Sequence, residues 1–188
     1  MKTLFIDKEI KYIGSQLAPH WIYKNFHIQG DAIVAFIGEC EVKLTEMVDI
    51  EDVINNEPIY SKSMLSFITE QFNVDLVEGV FRQRLLVTCI KEALENRGFT
   101  VKRDGDDLFV KNKKLSVSIA TKSLTSVLIH TGVNILSDGA PIEVSGLESD
   151  LKLTNNDIKD LANEIMVKYS SEISDIILAS TKVRGVSC

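Results

Sequence analysis

Residues 114–121, Lys-Leu-Ser-Val-Ser-Ile-Ala-Thr, and residues 127–135, Val-Leu-Ile-His-Thr-Gly-Val-Asn-Ile, alternate in polarity with a period of two. That period belongs to β-strands, whose successive side chains point to opposite faces. Ahead of them Leu108-Phe-Val110 runs into the polar turn 111–113, so the three stretches read as strands of one sheet, the first two joined as a hairpin. Leu115, Val117 and Ile119 then share one face and Lys114, Ser116, Ser118 and Ala120 the other. In the third strand Val127, Ile129, Thr131, Val133 and Ile135 alternate with Leu128, His130, Gly132 and Asn134. A lysine, two serines, a histidine, a glycine and an asparagine would therefore line one surface. Small residues leave room for a ligand to lie on the sheet, while Lys, His and Asn supply convergent polar groups, so a small-molecule ligand is the expected partner.

The 188 residues, 45% of them hydrophobic, suffice for one compact domain with a sizeable core. Three prolines and ten glycines are spread along the chain without a linker-like or repetitive stretch, so no domain boundary is expected. Met1-Lys-Thr-Leu-Phe-Ile-Asp7 has the pattern of a strand and is too short for a signal peptide. No stretch reaches the roughly 18 apolar residues of a membrane helix, so no membrane partner is expected. Cys40, Cys89 and Cys188 are odd in number and lack metal-type spacing, which suggests a reducing cytoplasm and neither disulfides nor a metal site; Cys188 is expected to be an exposed spectator. A formal charge of -6 argues against broad neutralisation of duplex nucleic acid. Arg82, Arg84, Lys102 and Arg103 could still surround one anion locally.

Residues 4–6 and 11–13 read as a short hairpin, followed by a helix capped by Ser15 that carries Leu17, Trp21 and Ile22. The apolar run 32–37 reads as a strand buried on both faces at the centre of the sheet. A strand-like segment at 61–69 precedes a long helix over about 75–96, stopped by Gly98. At 100° per residue its apolar stripe holds Leu76, Val80, Leu86, Val87, Ile90, Ala93 and Leu94, with Gln83 in the middle. A buried amide is costly unless paired, so Gln83 is either satisfied by a neighbour or reaches the ligand. After the loop 137–141 and a short strand, residues 156–169 and 171–181 read as two closing helices. Trp21, Tyr23 and Phe26 offer more aromatic surface than a short helix hides in a core, which suggests a homodimer through that helix.

Arg103, Asp106-Asp107-Leu-Phe-Val, Lys114-Leu-Ser-Val-Ser and His130-Thr-Gly-Val-Asn134 stand in the order of a signature of the biotin and lipoate protein ligases. The chain resembles those enzymes from about 61 to 135, and Ser63-Met-Leu-Ser-Phe-Ile is similar to a strand that precedes a long helix in the lipoate ligases. Over its whole length it is similar to an uncharacterised archaeal and bacterial family of the same fold, through Gly14-Ser-Gln-Leu, His20-Trp-Ile-Tyr, Arg82-Gln-Arg-Leu-Leu and Lys182-Val-Arg. The resemblance implies an α+β fold, a mixed and largely antiparallel sheet flanked by helices, with a ligase-like core at about 30–136. It implies an acyl-transfer or adenylate-forming enzyme using ATP and Mg²⁺, the alternative being a non-catalytic ligand-binding module. Lys114 and His130 would then be catalytic, with Gln83, Arg103, Asp106, Asp107, Ser116, Ser118 and Asn134 around the ligand. The chain departs from the ligases in lacking their Gly- and Arg-rich adenylate loop, and in carrying Asp106 and Val117 at positions that are Asn and Gly there.

Each candidate also has a structural reading. Lys114 would hold an acyl oxygen, since a cation aimed at developing negative charge lowers an acyl-transfer barrier. Asp107 would coordinate Mg²⁺, hold a ribose hydroxyl or cap its own turn. His130 would be a general base, a ligand contact or a core imidazole bonded on both nitrogens. Asp49, Glu51 and Asp52 would bind a hard cation or be solvated.

Overall fold

The structure is a computed structural model that describes residues 1–139 and 142–186. Its strands are β1 (Lys2–Ile6), β2 (Ala32–Val42), β3 (Ile59–Phe72), β4 (Lys102–Asp104), β5 (Asp107–Val110), β6 (Lys113–Lys114), β7 (Ser116–Lys122) and β8 (Ser126–Asn134). Its helices are α1 (Trp21–Phe26), α2 (Ile50–Asn55), α3 (Leu76–Glu95) and α4 (Asn155–Thr181). Five strands form a sheet in the order β1-β2-β3-β8-β7, antiparallel except for the β1-β2 pair, and β4-β5-β6 make a small second sheet. The fold is α+β, as expected.

The sheet separates two apolar layers because its strands alternate. Ile33, Leu65, Phe67, Val127, Ile129 and Val133 face α3 and α4, where the larger core forms. Ala32, Val34, Phe36, Met64 and Ile68 face the other way, onto Tyr12, Ile22 and Trp21. Residues 32–36 are buried on both faces and Ile37 partly so, but β3 is the central strand and β2 lies beside it.

Several local expectations are corrected. The two N-terminal segments do not form a hairpin: β1 pairs parallel with β2, and Tyr12 makes a further parallel bridge to Cys40 of the same strand. The chain crosses over at Gly38, where an added Cβ would lie 2.1 Å from the Ile10 carbonyl oxygen and where β2 shifts register. The first helix starts at Trp21 after left-handed His20, not at Ser15. Pro19 disfavours helical geometry at the residue before it, and Gln16 instead ties the preceding turn by bonding the Ile13 N–H and the Lys11 carbonyl.

Helix α3 begins at Asp75, whose carboxylate accepts the Glu78 N–H at 2.8 Å. Its contact line runs through Gly79, Gln83, Leu86, Ile90 and Ala93, while Leu76 and Val80 are exposed. The hydrophobic plot misses this because glycine does not score as apolar. Gly79 nonetheless packs directly on the sheet, and a Cβ there would sit 2.5 Å from Val127 Cγ1. The two closing helices are one, α4, opened by a Thr154/Asp157 capping box. Ser170, which falls between the two expected helices, lies inside it and donates to the Met1 carbonyl at 2.8 Å. No helix among the described residues is long and apolar enough to cross a membrane. The strand expected after the 137–141 loop is reduced to a bridge between Lys114 and Val144; Ala140, Pro141 and Cys188 lie outside the described residues.

Candidate ligand cleft

On the face of the sheet away from α3 and α4 lies a cleft of about 530 Å³, a size typical of small-ligand sites. Its floor is Tyr12, Met64, Val117 and His130; α2 and the turn before it form one wall, and Asp107 and Lys114 the other. The floor is shaped by Gly132, where a Cβ would come within 2.2 Å of Met64 Sδ, so the absent side chain is what lets the thioether lie flat there.

His130 is buried and stacked on the Tyr12 ring, with centroids 3.7 Å apart, and its Nε2 lies 3.3 Å from Ser66 Oγ. Burial pushes its pKa down to about 3, so the imidazole is neutral near pH 7. Burial likewise makes the Tyr12 hydroxyl harder to ionise. Lys114 Nζ sits 2.9 Å from Asp107 Oδ2 at the cleft wall. Burial raises the Asp107 carboxyl and Lys114 opposes that rise. Asn134 lines the far end; its backbone bonds Leu115 and Leu147, and its side-chain amide has no hydrogen-bond partner among the described residues.

The expectation that the serines share a face with His130 and Asn134 is corrected by the register. Ser116 lies opposite Val133 and Ser118 opposite Thr131, on the helix side, while Val117 and Ile119 lie opposite Gly132 and His130 on the cleft side. Alternation orders residues within a strand but does not say which face meets which across strands, and one residue of slip inverts the match. Leu115 supplies such an irregularity, standing between β6 and β7 and donating to the Leu108 carbonyl. Ser116 is buried, its hydroxyl accepting the Leu108 N–H at 3.0 Å. Ser118 borders the cleft, but its hydroxyl turns to Thr131 and Gln83.

Gln83 is buried and satisfied by side chains, its Nε2 donating to Asp106 Oδ2 at 2.9 Å and Ser118 Oγ at 3.1 Å. Asp106 also pairs with Arg84 at 3.3 Å. Arg103 is exposed, bonds the Gly105 carbonyl and does not line the cleft. The structure thus brings Lys114, Asp107, Asp106, Ser118, His130 and Asn134 to one cleft, with Gln83 and Ser116 behind it. Asp49 caps α2 by accepting the Glu51 N–H at 2.9 Å, and Asp52 also reaches the cleft. Sequence reasoning missed Tyr12 and Met64 of the floor and Ser66, the buried partner of His130; only the inward phase of Tyr12 between Lys11 and Ile13 could have marked it.

The family described as "Domain of unknown function (DUF366)" matches residues 1–184. The chain belongs to this family. An uncharacterized protein of Methanocaldococcus jannaschii is 41% identical over 182 residues, covering 94% of this chain and 81% of that one. A solved protein of unknown function from Pyrococcus horikoshi superposes with a TM-score of 0.91 at 38% identity, over 99% of both chains. Beyond the family, a putative lipoate protein ligase of T. acidophilum with bound lipoic acid has a TM-score of 0.61 at 11% identity, over 90% of this chain and 86% of that one. A biotin protein ligase mutant of Aquifex aeolicus in complex with biotin also gives 0.61 at 11%, over 93% and 70%. The family therefore has the fold of the lipoate and biotin protein ligases.

Proposed function

We propose that the cleft binds a small organic ligand and that the chain is an enzyme of acyl-transfer type, with Lys114 at the reacting carbonyl. The observation that carries this reading is the Lys114–Asp107 pair, 2.9 Å apart on the wall of a cleft with an apolar floor. One fixed ammonium matches one negative charge developing on a carbonyl oxygen, and it acts more strongly where water is partly excluded. The lipoic acid and biotin bound by the structural neighbours are carboxylic acids, in keeping with acyl chemistry on this fold.

The residues present do not fit ATP and Mg²⁺. A triphosphate needs several cations or a nest of backbone N–H groups, and the cleft lining offers Lys114 as its single Lys or Arg beside Glu46, Asp49, Asp52, Glu57, Asp106 and Asp107. Among the described residues no group of three or more His, Cys, Asp or Glu could hold a metal ion. Acyl transfer from a donor that is already activated is the form of the reading that the lining supports.

Neutral N-acetylcysteamine thioesters of acetate and octanoate test it through thiol release, with water taking the acyl group to give the free acid. Release above buffer, lost at least tenfold in Lys114→Ala, is expected; release no faster than buffer would leave a non-catalytic binding module, and equal release in both would remove Lys114 from the chemistry. Pyrophosphate release with ATP and biotin, lipoate, octanoate or amino acids would restore the adenylate-forming reading. The same reading carries a homodimer through α1, supported by the half-exposed Tyr23, although Trp21 and Phe26 pack on each other and on the core. Light scattering of wild type and Tyr23→Ala at micromolar concentration tests it, and a monomer mass at all concentrations would remove it.

A further inference from the structure

The charges of the cleft are lopsided in a way that acyl chemistry alone does not use. Asp106 is held by Arg84 and Asp107 by Lys114. The carboxylates on the opposite wall, Glu46, Asp49, Asp52 and Glu57, have no cation within 4.0 Å among the described residues. We propose that this wall recognises an organic cation, so that the ligand of the cleft is a primary amine carried on an apolar body.

Three observations join here. The unbalanced wall sets a negative field, and a partly enclosed cleft focuses it. Asp52 feels that field: its carboxyl is raised by burial and then by the neighbouring Asp49 charge, against a lowering by Lys114 across the cleft, and a cation bound at the wall relieves the rest. Independently, two largely buried residues present unpartnered polar groups at the cleft. The Tyr12 hydroxyl and the Asn134 amide belong to side chains only 3% and 5% exposed, and neither has a hydrogen-bond partner among the described residues. Neither polar group is sealed from solvent, so both are open at the cleft surface to polar groups on a bound molecule. Between the acidic wall and these groups run Val42, Ile59, Met64, Val117 and Val144, which suit an alkyl or similar body.

A metal ion fits less well than an ammonium. Metal ligation needs several oxygens converging at 2.0–2.6 Å, and the carboxylates of this wall do not form such a group among the described residues. An ammonium on a flexible stem is satisfied by a diffuse negative wall. The inference rests on the reading of this cleft as the ligand site, and not on acyl transfer.

Calorimetric titration at pH 7 and low salt with hexylamine, 6-aminohexanoate, hexanol and hexanoate tests it, because the four share one body and differ in charge. Both amines are expected to bind at least tenfold more tightly than hexanoate, with hexylamine tighter than hexanol and its advantage shrinking as salt rises. Asp49→Asn with Asp52→Asn should remove tenfold of the hexylamine affinity and leave hexanol unchanged, and Asn keeps the capping role at position 49. Should that pair fail to fold, Glu57→Gln, at an exposed position, carries the same comparison with a smaller loss. Hexanoate binding as tightly as hexylamine, no amine binding at 20 mM, an unchanged affinity in the variants, or displacement by MgCl₂ beyond the effect of matched NaCl would each overturn the proposal. Amine binding without thioester turnover would fail only the acyl-transfer reading; Lys114-dependent turnover without amine selectivity would fail only this one.

Discussion

The Tyr12 ring lies flat on the His130 imidazole, with centroids 3.7 Å and planes 11° apart. Tyr12 comes from the N-terminal segment and His130 from β8, so the stack joins the crossing chain to the sheet across the cleft floor. With one face covered and Nε2 beside Ser66, the imidazole is part of the floor and carries no charge at neutral pH.

That neutrality predicts a pH dependence. His130 falls from the ordinary 6.5 to about 3 in the folded protein because burial penalises its charged form. Below pH 6.5 the unfolded chain takes up a proton that the folded chain refuses, so stability rises with pH. The contribution is complete above 6.5 and is lost progressively as pH falls toward about 3, with a slope approaching roughly 1.4 kcal/mol per pH unit. Urea unfolding at pH 5 and pH 7 should show a smaller difference for His130→Gln than for the wild type. Matching differences would mean that the folded imidazole charges freely.

Gly132→Ala should destabilise by about 1–3 kcal/mol, the usual range for overpacking. The new Cβ would sit 2.2 Å from Met64 Sδ, and Met64 is itself 1% exposed. Shortening the neighbour with Met64→Ala makes room, so the double variant should lose less than the sum of the two single losses. Strict additivity in urea unfolding would show that the two residues do not meet.

Gln83→Leu should cost about 1–3 kcal/mol by removing the amide that ties Ser118 to Asp106, which then keep only Thr131 and Arg84 as side-chain partners. The amide donates to Ser118 and Asp106, at 3.1 and 2.9 Å. Adding Ser118→Ala removes one of the two acceptors of that amide, and the coupling between the two substitutions should be clear in a double-mutant cycle. A Gln83→Leu protein as stable as wild type would assign the amide to a ligand instead.

Much of this was legible in the sequence wherever one element decided the matter alone. The long helix, its Asp75 start and the alternation of β8 follow from local periodicity and capping. What was not legible depends on pairs of elements. Ser118 points to Gln83, not to His130, because a break at Leu115 sets the β7 register. The β1 partner is β2 because Gly38 lets Ile10 pass, a contact between residues 28 positions apart in sequence. The cleft residues drawn from the ligase resemblance meet around Lys114, whereas Tyr12, Met64 and the acidic wall come from segments whose residue types signal core or solvent.

Lys114→Ala should leave the fold nearly intact, with a stability change within about 1 kcal/mol, because an ion pair whose partners are both about a third exposed contributes little. Its effect should fall on the cleft. Without the ammonium the Asp107 carboxyl loses the charge that opposes its burial and rises further, so it takes up a proton more readily. Adding Asp107→Asn removes that acid and should restore whatever stability the single variant lost, but not the thioester turnover. Urea unfolding and thiol release measured on the same four proteins separate the two effects. Turnover recovered in the double variant would show that Lys114 serves only to balance Asp107.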